Sequence, residues 1–221
     1  MTVARLTLLT LLGASAGCID TSLGQTQSVD LPASELAIEP TIIDAEAAPA
    51  DGRVPVSMQF FHTNALVQLG GGVVSVNGVV LPWTAQGYTG RIPVVAEGGT
   101  ITFEYTRAGT TADVVFQVPP RPVVTSPATN EVVERSTNVT VTYVSGTSFG
   151  VRPIASDAGL GITGGEQSDN GMALLDASTL RSGAGSVGVT RRIVTTPPGS
   201  AFQSSVVTYK ITSLPTPVTW Q

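Results

Sequence analysis

The chain has 221 residues, 12 % of them charged, and a formal net charge of −5 at pH 7. That charged share is about half the usual one, and Gly, Thr, Ser, Val and Pro are plentiful while helix formers such as Lys are almost absent, a composition of strands and turns. One cysteine excludes an intramolecular disulfide, so stability must come from core burial, and the lack of a basic stripe excludes a nucleic-acid partner.

The N-terminus reads as an address. Arg5 gives one positive charge ahead of an apolar run, Leu6 to Leu12, too short to span a bilayer, and Gly13, Ala14, Ser15, Ala16 and Gly17 supply the small residues a signal peptidase accepts. Residues 1–17 are therefore expected to be an export signal, and the only cysteine, Cys18, follows it. The run Ser15-Ala16-Gly17-Cys18 resembles the lipobox of bacterial lipoproteins, with Ser15 where the family commonly has Leu. The resemblance implies that Cys18 is acylated and holds the chain to a membrane through its lipid. Ile19, in place of the Asp that resembles an inner-membrane retention signal, points to the outer membrane of the cell envelope. The alternatives are an ordinary secretory signal cut near Ala16, with Cys18 a free thiol, and a segment that is retained as a buried element.

From Cys18 to Leu36 the residues are polar, small and acidic with no apolar period, which predicts a disordered tether over 18–36. The acidity is concentrated at this end: Asp20, Asp30, Glu35, Glu39, Asp44, Glu46 and Asp51 all precede Arg53. A first module is expected over 37–120. Val54, Val56, Met58 and Phe60 alternate with polar residues as in a half-buried strand, and Pro55 places that strand at a sheet edge or marks where it starts. Asn77-Gly78 between Val74 and Leu81 predicts a hairpin with a type I′ turn. Strands follow over Tyr88 to Val95, Thr100 to Arg107 and Ala112 to Val118, with turns at Glu97-Gly98-Gly99 and Ala108-Gly109-Thr110.

Pro119, Pro120 and Pro122 punctuate the chain and predict a module boundary. Beyond them come an extended entry, Pro122 to Pro127, and a strand, Asn138 to Tyr143, with Val139, Val141 and Tyr143 facing inward. Ser126-Pro127 followed by Val139-Thr140-Val141-Thr142-Tyr143 resembles the opening of bacterial immunoglobulin-like modules. The resemblance covers 121–221, with later strands expected near Ser186 to Ile193, Ser204 to Ile211 and Val218 to Gln221. The antibody-type disulfide and core tryptophan are missing. The predicted fold class is all-β: two tandem antiparallel β-sandwich modules, 37–120 and 121–221, behind the signal and tether.

Chemistry is sparse. One histidine, His62, and one cysteine cannot build a zinc site, no Gly-x-Ser-x-Gly elbow accompanies His62, and neither Gly70-Gly71-Gly72 nor Gly161 to Gly165 leads into the Lys-[Ser/Thr] of a phosphate loop. Arg191-Arg192, the only basic pair, reads as a solvated strand edge, and Glu104 with Asp113 as outward residues of neighbouring strands rather than a glycosidase pair. Two candidates stay open. Asp157, Glu166, Asp169, Asn170 and Asp176 lie among glycines in a stretch without alternation, a possible calcium or recognition loop at one end of a sandwich. Trp83 and Tyr88 offer a glycan platform if they share an exposed face, and Trp220 reads as a C-terminal core residue. The function expected is non-enzymatic: a lipid-anchored envelope protein, needing no cofactor, that meets a protein or glycan partner. The rivals are an enzyme or metal-binding protein with its site in the 157–176 loop, and a carbohydrate-binding module.

Overall fold

The computed structural model describes residues 26–28, 31–44, 49–136, 138–146 and 150–221; the signal segment, Cys18 and most of the predicted tether lie outside these. Runs rich in Val, Ile, Thr and aromatics, broken by Gly and Pro, form strands, and one 3-10 turn, Ala33–Glu35, is the only helical element among the described residues. No described helix is long and apolar enough to cross a membrane.

The first half contributes β1 (Thr26–Ser28), β2 (Ala37–Asp44), β3 (Arg53–His62), β4 (Ala65–Leu69), β5 (Gly72–Val76), β6 (Val79–Val80), β7 (Trp83–Thr84), β8 (Gly87–Pro93), β9 (Thr100–Arg107) and β10 (Thr110–Gln117). Asn77 and Gly78, with φ of 48° and 76°, make the tight turn from β5 to β6. Both central residues of a type I′ turn need positive φ, which Asn and Gly tolerate. The second half contributes β11 (Val124–Ser126), β12 (Glu131–Val133), β13 (Asn138–Tyr143), β14 (Gly150–Ser156), β15 (Gly161–Thr163), β16 (Met172–Asp176), β17 (Gly183–Thr195), β18 (Ser204–Ser205), β19 (Val207–Thr212) and β20 (Thr216–Trp220).

These strands make three sheets. Thirteen join one large sheet whose main path runs β1-β4-β3-β2-β19-β17-β14-β15; β10-β9-β5-β6 and β11-β13-β16 are separate. Side chains alternate along a strand, so register fixes which of them share a face. On β17, Val187, Val189, Arg191 and Ile193 point one way; Arg191 lies opposite Ile211 and Ile193 opposite Tyr209 on β19, while Tyr209 lies opposite Ile42 on β2. Val187 and Val189 pack with Val139, Val141, Leu175 and Trp220, in the core closed by the three-stranded sheet. Ile42, Tyr209 and Ile211 pack with Val74, Phe103 and Phe116, in the core closed by the four-stranded sheet. The two smaller sheets therefore sit side by side on one face of the large one. The architecture is all-β, two sandwich cores on a shared sheet.

That sharing departs from a boundary at the prolines. Residues 119–122 do lie between the cores, but the chain returns: Phe202, Val207, Tyr209 and Ile211 from the second segment are buried in the first core. β19 pairs antiparallel with β17 and parallel with β2, stitching 121–221 to 37–120. Alternation in Val207 to Ile211 shows that one face is buried without showing against what.

Three local expectations change as well. Leu36, read as the end of the tether, is fully buried in the first core, and β2, which the sequence reading did not resolve as a strand, follows at once. Pro40 in β2 falls between the residues that pair with β18 (Ala37, Ile38) and those that pair with β19 (from Thr41), a gap that tolerates its missing N–H. Of the two places open to Pro55, β3 is not an edge strand, since it pairs with both β2 and β8; Pro55 lies instead near the strand's start at Arg53, one residue beyond the last β2 pair, Ile42 with Val56, so the sheet accepts it.

A fragment of residues 121–221 would expose Phe202, Val207, Tyr209 and Ile211. We expect it to lack a cooperative thermal transition alone and to regain one on mixing with residues 31–120, as followed by circular dichroism; a cooperative melt of the lone fragment would contradict the shared-sheet assignment.

Candidate functional site

The 157–176 segment is an ordered strap along the edge of the large sheet. β15 pairs with β14, and Gln167 bridges to Val151 of β14 through reciprocal backbone hydrogen bonds of 2.9 and 2.8 Å. The Gln167 side chain then grips the edge of the opposite sheet: its Oε1 accepts from Leu174 N–H at 2.9 Å and its Nε2 donates to the Leu174 carbonyl at 2.7 Å. An open strand edge is a template for unwanted pairing, and a side-chain amide that occupies it blunts the hazard.

The five oxygen-bearing residues predicted on this segment do not converge. Asp157 Oδ1 accepts from the N–H groups of Gly159 and Leu160, both at 2.7 Å, and its Oδ2 from Arg181 N–H at 2.7 Å. Those backbone donors, led by Arg181, hold its carboxyl below the usual carboxylate range. Asn170 and Asp176 cap the N–H groups of Met172 and Ser178. The Asp176 carboxyl is lowered in turn, first by the Ser178 hydroxyl. Glu166 receives Arg192 at 2.5 Å and Arg152 at 3.5 Å, and Arg192 is the main cause of its lowered pKa.

Asp169 goes inward. It pairs with Arg191 Nε at 2.8 Å, the two side chains 2 % and 5 % exposed, and Arg191 Nη2 donates to the Val144 carbonyl at 2.7 Å. Burial, then the Asp169 charge, raises the pKa of the neighbouring Tyr143 hydroxyl. Arg191 thus reaches from the large sheet across to the three-stranded one, and a Cβ on Gly146 would stand 2.9 Å from its guanidinium carbon. Among the described residues, no group of three or more His, Cys, Asp or Glu side chains is placed to hold a metal ion.

The aromatic pair is not a platform. Trp83 and Tyr88 meet edge to face, centroids 5.1 Å apart at 68°, and Tyr88 is buried with its hydroxyl bonded to both N–H and C=O of Leu69. An edge-to-face pair with one ring in the core offers no shared flat surface to a sugar. Trp220 is a core residue, its Nε1–H donating to the Ser156 carbonyl at 2.9 Å. Its indole lies so close to Gly185 that a Cβ there would come within 2.1 Å of Nε1. Glu104 and Asp113 are direct cross-strand partners, with the Ser75 hydroxyl donating to Glu104 at 3.0 Å. His62 lines a cleft of about 480 Å³ with Ser34, Glu35 and Ser204, and no hydrogen bond joins it to them among the described residues.

The sequence reading missed a second buried charge cluster. Asp44, 2 % exposed, ends β2 and accepts from Arg121 at 2.5 Å and from the Tyr209 hydroxyl at 3.3 Å; Arg121 also donates to the Thr212 carbonyl. Burial and Asp44 together raise the Tyr209 pKa. Arg121 sits in the proline segment, so this cluster pins the crossing between the cores. The available signal was period 2: Ile38, Pro40, Ile42 and Asp44 share the inward face.

No family model and no curated protein matches the chain. Among solved structures it is similar to the I67–I69 fragment of the titin I-band (8 % identity, TM-score 0.23, covering 86 % of this chain and 65 % of that one, just under two thirds). It is also similar to fibronectin(III)-like modules of Clostridium thermocellum CbhA (16 %, 0.24, 78 % and 93 %) and to immunoglobulin domains 1–4 of Sidekick-1 (10 %, 0.21, 91 % and 73 %). At these scores the fold assignment rests on the strand pairing described above.

Breaking a buried pair strands a charge at a cost of about 3–5 kcal/mol, whereas replacing both partners by apolar residues is often nearly neutral. Asp169→Asn is therefore expected to lower the melting temperature strongly, and Asp169→Leu with Arg191→Met to recover most of it in the same thermal scan. Asp157, Glu166 and Asp176 all have folded pKa values below their ordinary ones, so their contribution is present above the unfolded-state carboxylate range of about 4 and is lost as pH falls through the folded values. A pH series of melting temperatures should be flat near neutrality and drop below about pH 4, less steeply in Asp157→Asn.

Proposed function

We propose that this protein is an exported, non-catalytic lipoprotein of a bacterial envelope that presents a rigid β-sandwich body to a protein or glycan partner. The observation that supports the non-catalytic reading best is the fate of the polar side chains on the 157–176 strap. Asp157, Asn170 and Asp176 cap backbone, and Glu166 and Asp169 pair with arginines, so the groups of an imagined active or calcium site serve the strap's own structure.

The anchor reading rests on Cys18, the chain's only cysteine, at the close of a small-residue signal. One acylated cysteine carries several chains, enough for stable attachment where a single chain is marginal. Outer-membrane placement follows from Ile19 after the cysteine.

The test is fractionation. Wild type is expected in the membrane pellet after a carbonate wash, with a lipid mass on the peptide that begins at Cys18, and Cys18→Ala in the soluble fraction. Retention of the Ala variant in membranes, with no lipid mass on the wild type, would remove the anchor from this account.

A further inference from the structure

The outward face of the large sheet carries an arrangement the structural roles above leave unexplained. Arg192 on β17 lies directly opposite Lys210 on β19, and like charges so placed in an antiparallel pair repel. Lys210 is the only lysine in the chain. On the other side of Arg192 the partner is Gly150 of β14, which has no side chain, and two residues along the same strand Arg152 faces Thr190. The result is a groove of about 240 Å³ whose polar lining is Arg152, Thr163, Glu166, Thr190, Arg192 and Lys210.

Among the described residues three cations here face one carboxylate. Glu166 reaches in from the strap over the space left by Gly150, where a Cβ would stand 2.6 Å from its Oε1. It holds Arg192 closely at 2.5 Å and Arg152 loosely at 3.5 Å. Among the described residues Lys210 has no ion pair. The groove keeps an excess of two positive charges on a chain whose net charge is −5.

We propose that this groove binds the phosphate or sulfate group of an anionic ligand. Three cationic side chains and two hydroxyls converge from four strands, more directions than the two oxygens of a carboxylate satisfy and a match to a tetrahedral group with three or more acceptors. The fork of Arg192 gives directional donors and Lys210 a mobile point charge. Glu166 pairs with both arginines and competes with the incoming anion for them.

Isothermal titration of the full chain with inorganic phosphate, at about 0.15 M NaCl so that contacts beyond about 8 Å are screened, is the direct measurement. Saturable binding is expected. Lys210→Gln and Arg152→Gln should each weaken it about tenfold, the worth of one charge-assisted hydrogen bond. Glu166→Gln should tighten it severalfold even where it lowers the melting temperature, whereas a purely structural Glu166 would leave affinity unchanged. A soluble phosphate monoester, glucose 6-phosphate, and vesicles carrying phosphatidic acid then tell a free ligand from a lipid headgroup, and binding to either supports the site. No phosphate binding by the wild type, or equal binding by wild type and the folded Lys210→Gln variant, overturns the proposal.

Discussion

The structure depends on where β19 lies. By pairing antiparallel with β17 and parallel with β2, this one strand fuses what would otherwise be two separate sandwiches into a single thirteen-stranded sheet. Its inward side chains, Val207, Tyr209 and Ile211, are spent on the first core although most of the residues around it in sequence build the second. A sheet this wide has more apolar face than one small sheet can cover, and the two covering sheets are the solution. Burial of that face is the main favourable term for a chain with no disulfide.

Where two covering sheets meet, polar backbone ends and crossing segments must be satisfied away from water. Two buried ion pairs do this. Asp44 with Arg121 fastens the proline segment and the end of β2, and Asp169 with Arg191 joins the strap to the large sheet. Such pairs contribute little net stability relative to apolar packing, but each fixes one arrangement, because any other leaves a charge buried alone. In a chain so poor in charge, spending four charged residues this way makes those that remain on the outer face more conspicuous, and the Arg152, Arg192 and Lys210 groove is where three of them gather.

The adjacent residues Arg191 and Arg192 show how strand geometry divides labour. Period 2 sends Arg191 through the core face to Asp169 and Val144, and Arg192 to the outer face beside Lys210. One is a structural tie and the other a surface cation, a difference invisible in the dipeptide.

Much of the local structure was legible in the sequence, because period 2, Asn-Gly and proline punctuation act over a few residues. The hairpin at Asn77-Gly78, the strands 100–107 and 138–143 and the inward set Val139, Val141 and Tyr143 fall where alternation put them. What escaped was set by contacts distant along the chain. Strand β2 was obscured by Pro40, tolerable only because its ladder has a gap there, and Leu36 looked like tether because a single leucine makes no period. For the candidate site, composition singled out the oxygen-bearing residues of 157–176. Asn170 and Asp176 cap N–H groups only two residues on, but Arg181, which holds Asp157, and Arg191 and Arg192, which take Asp169 and Glu166, lie beyond the strap, and the Lys210 that completes the groove is on β19. Sequence alone determined the all-β class, the turns and the alternating faces, since these follow from each residue's own backbone preference and its neighbours. Only the tertiary structure decided which face meets which, because strand pairing between distant segments is selected by the joint burial of whole sheets.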